Sequence, residues 1–361
     1  MGNSGGMRRV LLVGSLPYRD EAAAMARAYE LAGDRLIALP DGEIGERSDQ
    51  YPSGDRSQWV AGLAGRLSRE SELFDVRDVG TINEQGFPVD FDSTMRLRPK
   101  TGSAELGQRL VLGYDTFAAR SWPHFVGLRA SAQRRDLRMQ VGLPTGLGVA
   151  ASVLAPVRAL RFAPAFATCV AREAQSTVSS IGAENLLFQV EAPAEVVMAH
   201  RIPRLVWRFA VGSVIDLVRQ LPDRVPVGLH LCYGDLNNVA AITPQGFDRL
   251  IGFAQAVLRR WPRSHALAYI HLPFAAGSSP SPTDPAAYRS LGRLELPAGS
   301  RLVAGFVHED PTVESLETLL ATIETARRAP VDVATACGLG RRSPEIADEL
   351  IQRCVHLATI D

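Results

Sequence analysis

His230 and Cys232 stand two residues apart in His230-Leu-Cys232, and a second cysteine, Cys337, lies much later in Ala-Cys-Gly-Leu-Gly. On an extended strand, residues i and i+2 point to the same side. The imidazole and the first thiol can therefore face one metal ion, and Cys337 can supply a third ligand. Zinc takes imidazole nitrogen and thiolate sulfur in a tetrahedral shell. A catalytic zinc uses three protein ligands and keeps a position open. A thiol bound to such an ion is deprotonated, so a sulfur nucleophile exists at neutral pH. The competing reading is a half-buried histidine beside two core cysteines. His271 ends another apolar run and reads either as a fourth ligand or as an acid-base group. His308, followed by Glu309 and Asp310, is a further acid-base candidate.

These residues need elements to hold them. Eight short apolar runs recur, spanning residues 9–14, 35–40, 138–144, 186–191, 227–232, 267–273, 301–307 and 331–337. They are continuous rather than alternating, which suits strands covered on both faces of a parallel sheet. Helical patterns separate most of them: residues 20–31, 162–181, 205–221, 243–261 and 312–328. Ser343-Pro-Glu gives a cap and a first-turn proline to a last helix. The alternation predicts an α/β fold, a single (β/α)8 TIM barrel; an open doubly wound sheet would use fewer strands. Barrel enzymes place chemistry at the C-terminal ends of the strands. Those ends carry Ser15, Glu43, Thr145, Glu191, His230, Cys232, His271, His308 and Cys337.

Residues 45–135 break the rhythm. They read as a large insertion between strands 2 and 3, lying over the barrel mouth. Trp59, Tyr114 and Trp122 within it either line a cavity or anchor the insertion. The whole chain, 1–361, reads as one domain, with residues 1–7 a disordered or tag-like start. Net charge is zero, which argues against a nucleic-acid footprint. Four cysteines without framework spacing suit a reducing cytoplasm. Residues 139–157 lack charge, but prolines and glycines interrupt them, so they read as strand-loop-helix rather than membrane span. Gly146-Leu-Gly148 matches a relaxed dinucleotide fingerprint without the acidic residue that would support it.

Longer motifs carry a resemblance. Val13-Gly-Ser-Leu-Pro17, Asp41-Gly-Glu43, Gly142-Leu-Pro-Thr145, Gln189-Val-Glu-Ala-Pro193, His230-Leu-Cys-Tyr233 and Cys337-Gly-Leu-Gly-Arg341 occur in this order. They resemble segments of the catalytic half of cobalamin-independent methionine synthase, within the barrel superfamily that also holds uroporphyrinogen decarboxylase. The resemblance spans all eight strands and excludes most of residues 50–135. It implies Zn2+ on His230, Cys232 and Cys337, and a thiol substrate activated as thiolate for alkyl transfer, as in methionine biosynthesis. It implies that Ser15, Glu43 and Glu191 bind the amino-acid part of homocysteine.

The departures are specific. His271 stands where the family has a glutamate ligand, and His308 is the nearest stand-in for its acid-base histidine. Gly148-Val-Ala-Ala151 replaces the tryptophan segment that stacks on folate. The expectation is a thiol methyltransferase or alkyltransferase whose donor is not folate, for example a methylated corrinoid or corrinoid protein. No nucleic acid and no membrane is expected as a partner. The alternative is a metal-free uroporphyrinogen decarboxylase-like lyase or specialised-metabolism enzyme using carboxylate and histidine acid-base chemistry. A non-catalytic, ligand-binding subunit is a third reading.

Overall fold

The computed structural model describes residues 7–360 apart from Ser53 and Gln245. The expected disordered start therefore lies, except for Met7, outside the described residues. The first half holds β1 (Val10–Leu11), α1 (Glu21–Ala32), β2 (Leu39–Pro40), α2 (Trp59–Arg69), β3 (Phe74–Asp78), β4 (Arg96–Pro99), α3 (Ser103–Arg109), α4 (Tyr114–Ser131), β5 (Met139–Pro144), α5 (Gly146–Val153) and α6 (Pro156–Ile181). The second holds β6 (Leu186–Glu191), α7 (Pro193–Arg201), α8 (Arg208–Gln220), β7 (Val227–His230), α9 (Asp248–Leu258), β8 (Leu267–Pro273), β9 (Arg301–Val307), α10 (Val313–Arg327), β10 (Asp332–Thr335) and α11 (Pro344–Thr359).

Eight of the strands form one parallel sheet in the order β1-β10-β9-β8-β7-β6-β5-β2. Each lies within one of the eight apolar runs. The sheet curls until its ends meet: Val10 pairs in parallel with Leu36, and Ile37 N–H donates to Val10 O at 3.0 Å. Parallel neighbours need a crossover, and helices supply it on the outer face. Their starts follow capping chemistry. Asp20 caps α1, Thr145 caps α5, Thr312 caps α10 and Ser343 caps α11, each side chain accepting a main-chain N–H. The helix expected from residue 162 begins earlier, because Pro156 suits a first turn and Pro164 is accommodated inside α6.

The interior is layered. Leu11, Ala38, Leu187, Tyr269, Val303 and Ala334 form a small apolar plug. Above it Gln140 and Gln189 donate to the carbonyls of Leu12 and Val13, and Tyr269 hydroxyl donates to Gln189 at 2.8 Å. The next layer is set by register: Glu191 pairs with His230 and His230 with His271. Residues between β2 and β5 carry α2, α3, α4 and the antiparallel pair β3–β4, which stands outside the main sheet. Among the described residues, no helix is long and apolar enough to cross a membrane.

Candidate metal centre

β7 ends at His230, and the chain leaves the sheet through Leu231 and Cys232. β10 ends at Thr335 and leaves through Cys337. The ligand atoms of His230, Cys232 and Cys337 all lie within 4.8 Å of one another, a spacing one metal ion could span. The two Sγ atoms are 3.8 Å apart, and both cysteines are free thiols. Shared hydrogen bonding holds the Cys232 thiol well above its usual range, with burial adding to it. The same bond holds Cys337 below it, so in the shared hydrogen bond Cys232 is the donor and Cys337 the acceptor.

His271 lies outside this cluster and is fully buried. Its Nδ1 is 2.8 Å from His230 Nδ1, and its Nε2 is 3.0 Å from the Thr335 carbonyl. Burial lowers both imidazoles, His271 to about 4, so both rings are neutral near pH 7.

Two carboxylates face the same space. Asp41, Gly42 and Glu43 form a tight turn in which Gly42 has φ +84° and Glu43 φ +48°. Left-handed backbone at a glutamate is costly, and such strain concentrates at functional sites. Asp41 holds the turn: its carboxylate accepts from Glu43 N–H at 2.9 Å, Arg56 at 2.8 Å and Ser121 at 2.8 Å. Burial alone would raise the Asp41 carboxyl, but these partners hold it below its usual value. Glu43 and Glu191 converge over Gly142 on β5. A Cβ there would lie 2.5 Å from Glu43 Oε1 and 2.8 Å from Glu191 Oε1, so only glycine leaves room. Burial raises both carboxyls, Glu191 to about 7, and mutual repulsion adds to the rise at Glu43.

A cavity of about 450 Å³ joins these groups, touching Ser15, Glu43, Glu191, His230, Cys232 and Cys337. Ser15 also packs on the Cys337 loop: Leu339 N–H donates to Ser15 O at 2.7 Å. Trp59 reaches the cavity and donates to Tyr114 hydroxyl at 3.1 Å. Trp122 stacks on Phe125, as an anchor would. The structure does not bring His308 here. It is buried beside the main chain, with Nε2 3.2 Å from Gly277 O and Nδ1 accepting from Asp310 N–H. Sequence reasoning missed Asp235, Thr335 and Arg56. Asp235 and Thr335 each lie within three residues of a candidate ligand, but only the folded chain shows their partners.

No family model and no curated protein sequence matches the chain. Among solved structures, a B12-independent methionine synthase from Shewanella sp. W3-18-1, in complex with selenomethionine, is similar in fold. The TM-score is 0.59 at 13% identity, over 98% of this chain and 97% of that one. A likeness at this identity shows a methionine synthase-like barrel fold.

Proposed function

We propose that the protein is a zinc-dependent thiol alkyltransferase, most simply a methyltransferase acting on homocysteine or a related thiol. The observation that carries this reading is the His230, Cys232 and Cys337 cluster opening onto the cavity beside two carboxylates. The donor set supports zinc. A tetrahedral ion with Zn–S bonds of about 2.3 Å holds two sulfurs about 3.8 Å apart, and Sγ of Cys232 and Cys337 stand 3.8 Å apart. Bound there, zinc would supply an open position in which the acceptor thiol ionises at neutral pH.

The chain's own groups would do the rest. Glu43 and Glu191 would accept hydrogen bonds from the ammonium of an amino-acid thiol, whose charge offsets their repulsion. Ser15, against the Cys337 loop, would help hold the carboxylate end. Gly148 and Ala151, in the segment that replaces the folate-stacking tryptophan of the resembled family, line the cavity with small groups. The donor would then be another alkyl carrier, such as a methylated corrinoid or corrinoid protein. Residues 45–135 would act as an insertion over the mouth of a single-domain barrel, since Arg56, Trp59, Phe91 and Arg96 from this stretch reach the cavity. The free thiols suit a cytoplasmic protein.

Elemental analysis combined with thermal shifts tests the reading, with homocysteine, coenzyme M and cysteine as ligands. One zinc per chain and a zinc-dependent rise in melting temperature with one of the thiols are expected. A metal-free protein with intact fold and full activity would sink it. The raised carboxyl pair favours a second reading, acid-base lyase chemistry, which predicts activity that survives chelation.

A further inference from the structure

Four ring nitrogens and one carbonyl form a line across the interior of the barrel. The Thr335 carbonyl can only accept a hydrogen bond, so His271 Nε2, at 3.0 Å, must carry its proton. A neutral His271 then offers Nδ1 as an acceptor. Its neighbour at 2.8 Å, His230 Nδ1, must be the donor. That leaves His230 Nε2 bare, in the state a metal requires.

We infer that His271 is not a metal ligand but a positioning residue, which fixes the tautomer and orientation of His230 and leaves the fourth coordination position to substrate. This inference rests on the zinc reading above.

Independent features of the fold point the same way. His271 is wholly buried on β8 and is not among the residues that line the cavity. Its ring occupies the space of a missing side chain on β9: a Cβ at Gly305 would lie 2.4 Å from His271 Nε2. Swinging the ring toward the thiols would forfeit both hydrogen bonds and leave Thr335 O without this donor. Thr335 hydroxyl in turn donates to Cys337 O at 2.7 Å. The line therefore runs from His230 on β7, through His271, to the loop that carries Cys337. A histidine ligand usually gives its second nitrogen's proton to a carboxylate, carbonyl or water. Here a second imidazole takes that place and passes the orientation on to the β10 main chain.

X-ray absorption on the zinc-loaded protein is the test, joined to long-range 1H–15N imidazole spectra of the same sample. One imidazole and two sulfurs are expected at zinc, with His230 protonated on Nδ1 and His271 on Nε2. His271→Ala should weaken zinc binding roughly 10–100-fold without removing a nitrogen neighbour. His271→Gln, which can both accept and donate, should recover most of the loss. Two imidazoles at zinc, or a nitrogen lost in both variants with no rescue by glutamine, would overturn the inference while leaving zinc-dependent thiol binding intact. A wild-type protein that binds no zinc would overturn both. Should His271→Ala fail to fold, the wild-type spectra alone decide.

Discussion

Asp235 Oδ2 accepts a hydrogen bond from Arg341 Nη1 at 3.0 Å, and this ion pair ties together the loops that carry Cys232 and Cys337. Asp235 follows Cys232 by three residues and Arg341 follows Cys337 by four. Their side chains are only 2% and 11% exposed, so the pair is largely withdrawn from water. Both charges reach Cys337: Asp235 disfavours its thiolate, and the Arg341 charge partly offsets that.

Breaking this pair from one side should be expensive. Asp235→Ala leaves the guanidinium buried without its carboxylate, a loss of about 3–5 kcal/mol by the usual cost of such a charge. The double variant Asp235→Leu with Arg341→Met should recover a large part of it. Urea denaturation of the metal-free wild type, Asp235→Leu, Arg341→Met and the double variant, read as a double-mutant cycle, measures the coupling.

Removing a ligand should cost more than removing a buttress. Cys232→Ser, Cys337→Ser and His230→Ala should each weaken zinc by more than the roughly 10–100-fold assigned to an outer partner. Competition against a chromophoric chelator gives the constants. Cys169→Ser and Cys354→Ser, which alter buried thiols away from the cluster, should leave zinc affinity unchanged.

The carboxyl pair should discriminate among thiols. Glu43→Gln or Glu191→Gln should weaken an amino-acid thiol about 10–100-fold, the size of a hydrogen bond to a charged group. A thiol without an amino group should be nearly indifferent. Calorimetric titration with homocysteine and coenzyme M separates the two outcomes.

Glu195, which is not part of the His230, Cys232 and Cys337 group, should set a pH slope on stability. Burial raises its carboxyl to about 7, although hydrogen bonding from Ser213 and Thr145 favours the ionised form. Its usual unfolded value is lower, near 4.5. Between these values the folded state holds the proton that the unfolded state releases, so stability falls as pH rises. Glu195→Gln should flatten that slope and gain up to roughly 3 kcal/mol at pH 8. Chemical denaturation of both proteins from pH 4 to pH 8 shows whether the curves diverge as expected.

Much of the scaffold was legible because its signals are local. The β-run from Leu186 to Glu191 is apolar throughout since both faces of a parallel strand are covered. Ser343 before Pro344 marks a helix start by capping chemistry alone. The helix α7 was not legible: Pro193–Arg201 is short and only weakly amphipathic, and its packing against α8 and α9 stabilises it. The hairpin partners β3 and β4 are separated by a long loop, so no turn signal announced them.

The sequence by itself determined the chemistry of the candidate site. It put an imidazole and two thiols at the ends of strands, and the two-residue period put His230 and Cys232 together. It also put His271 at a strand end, where a ligand and a buttress look alike. Tertiary structure set where its ring lies, because register and curvature set cross-strand distances that no local period encodes. Pairing His230 with His271 brought nitrogen to nitrogen at 2.8 Å. The absent side chain at Gly305 let the second ring sit back against β9, within reach of the Thr335 carbonyl and outside the cluster of His230, Cys232 and Cys337.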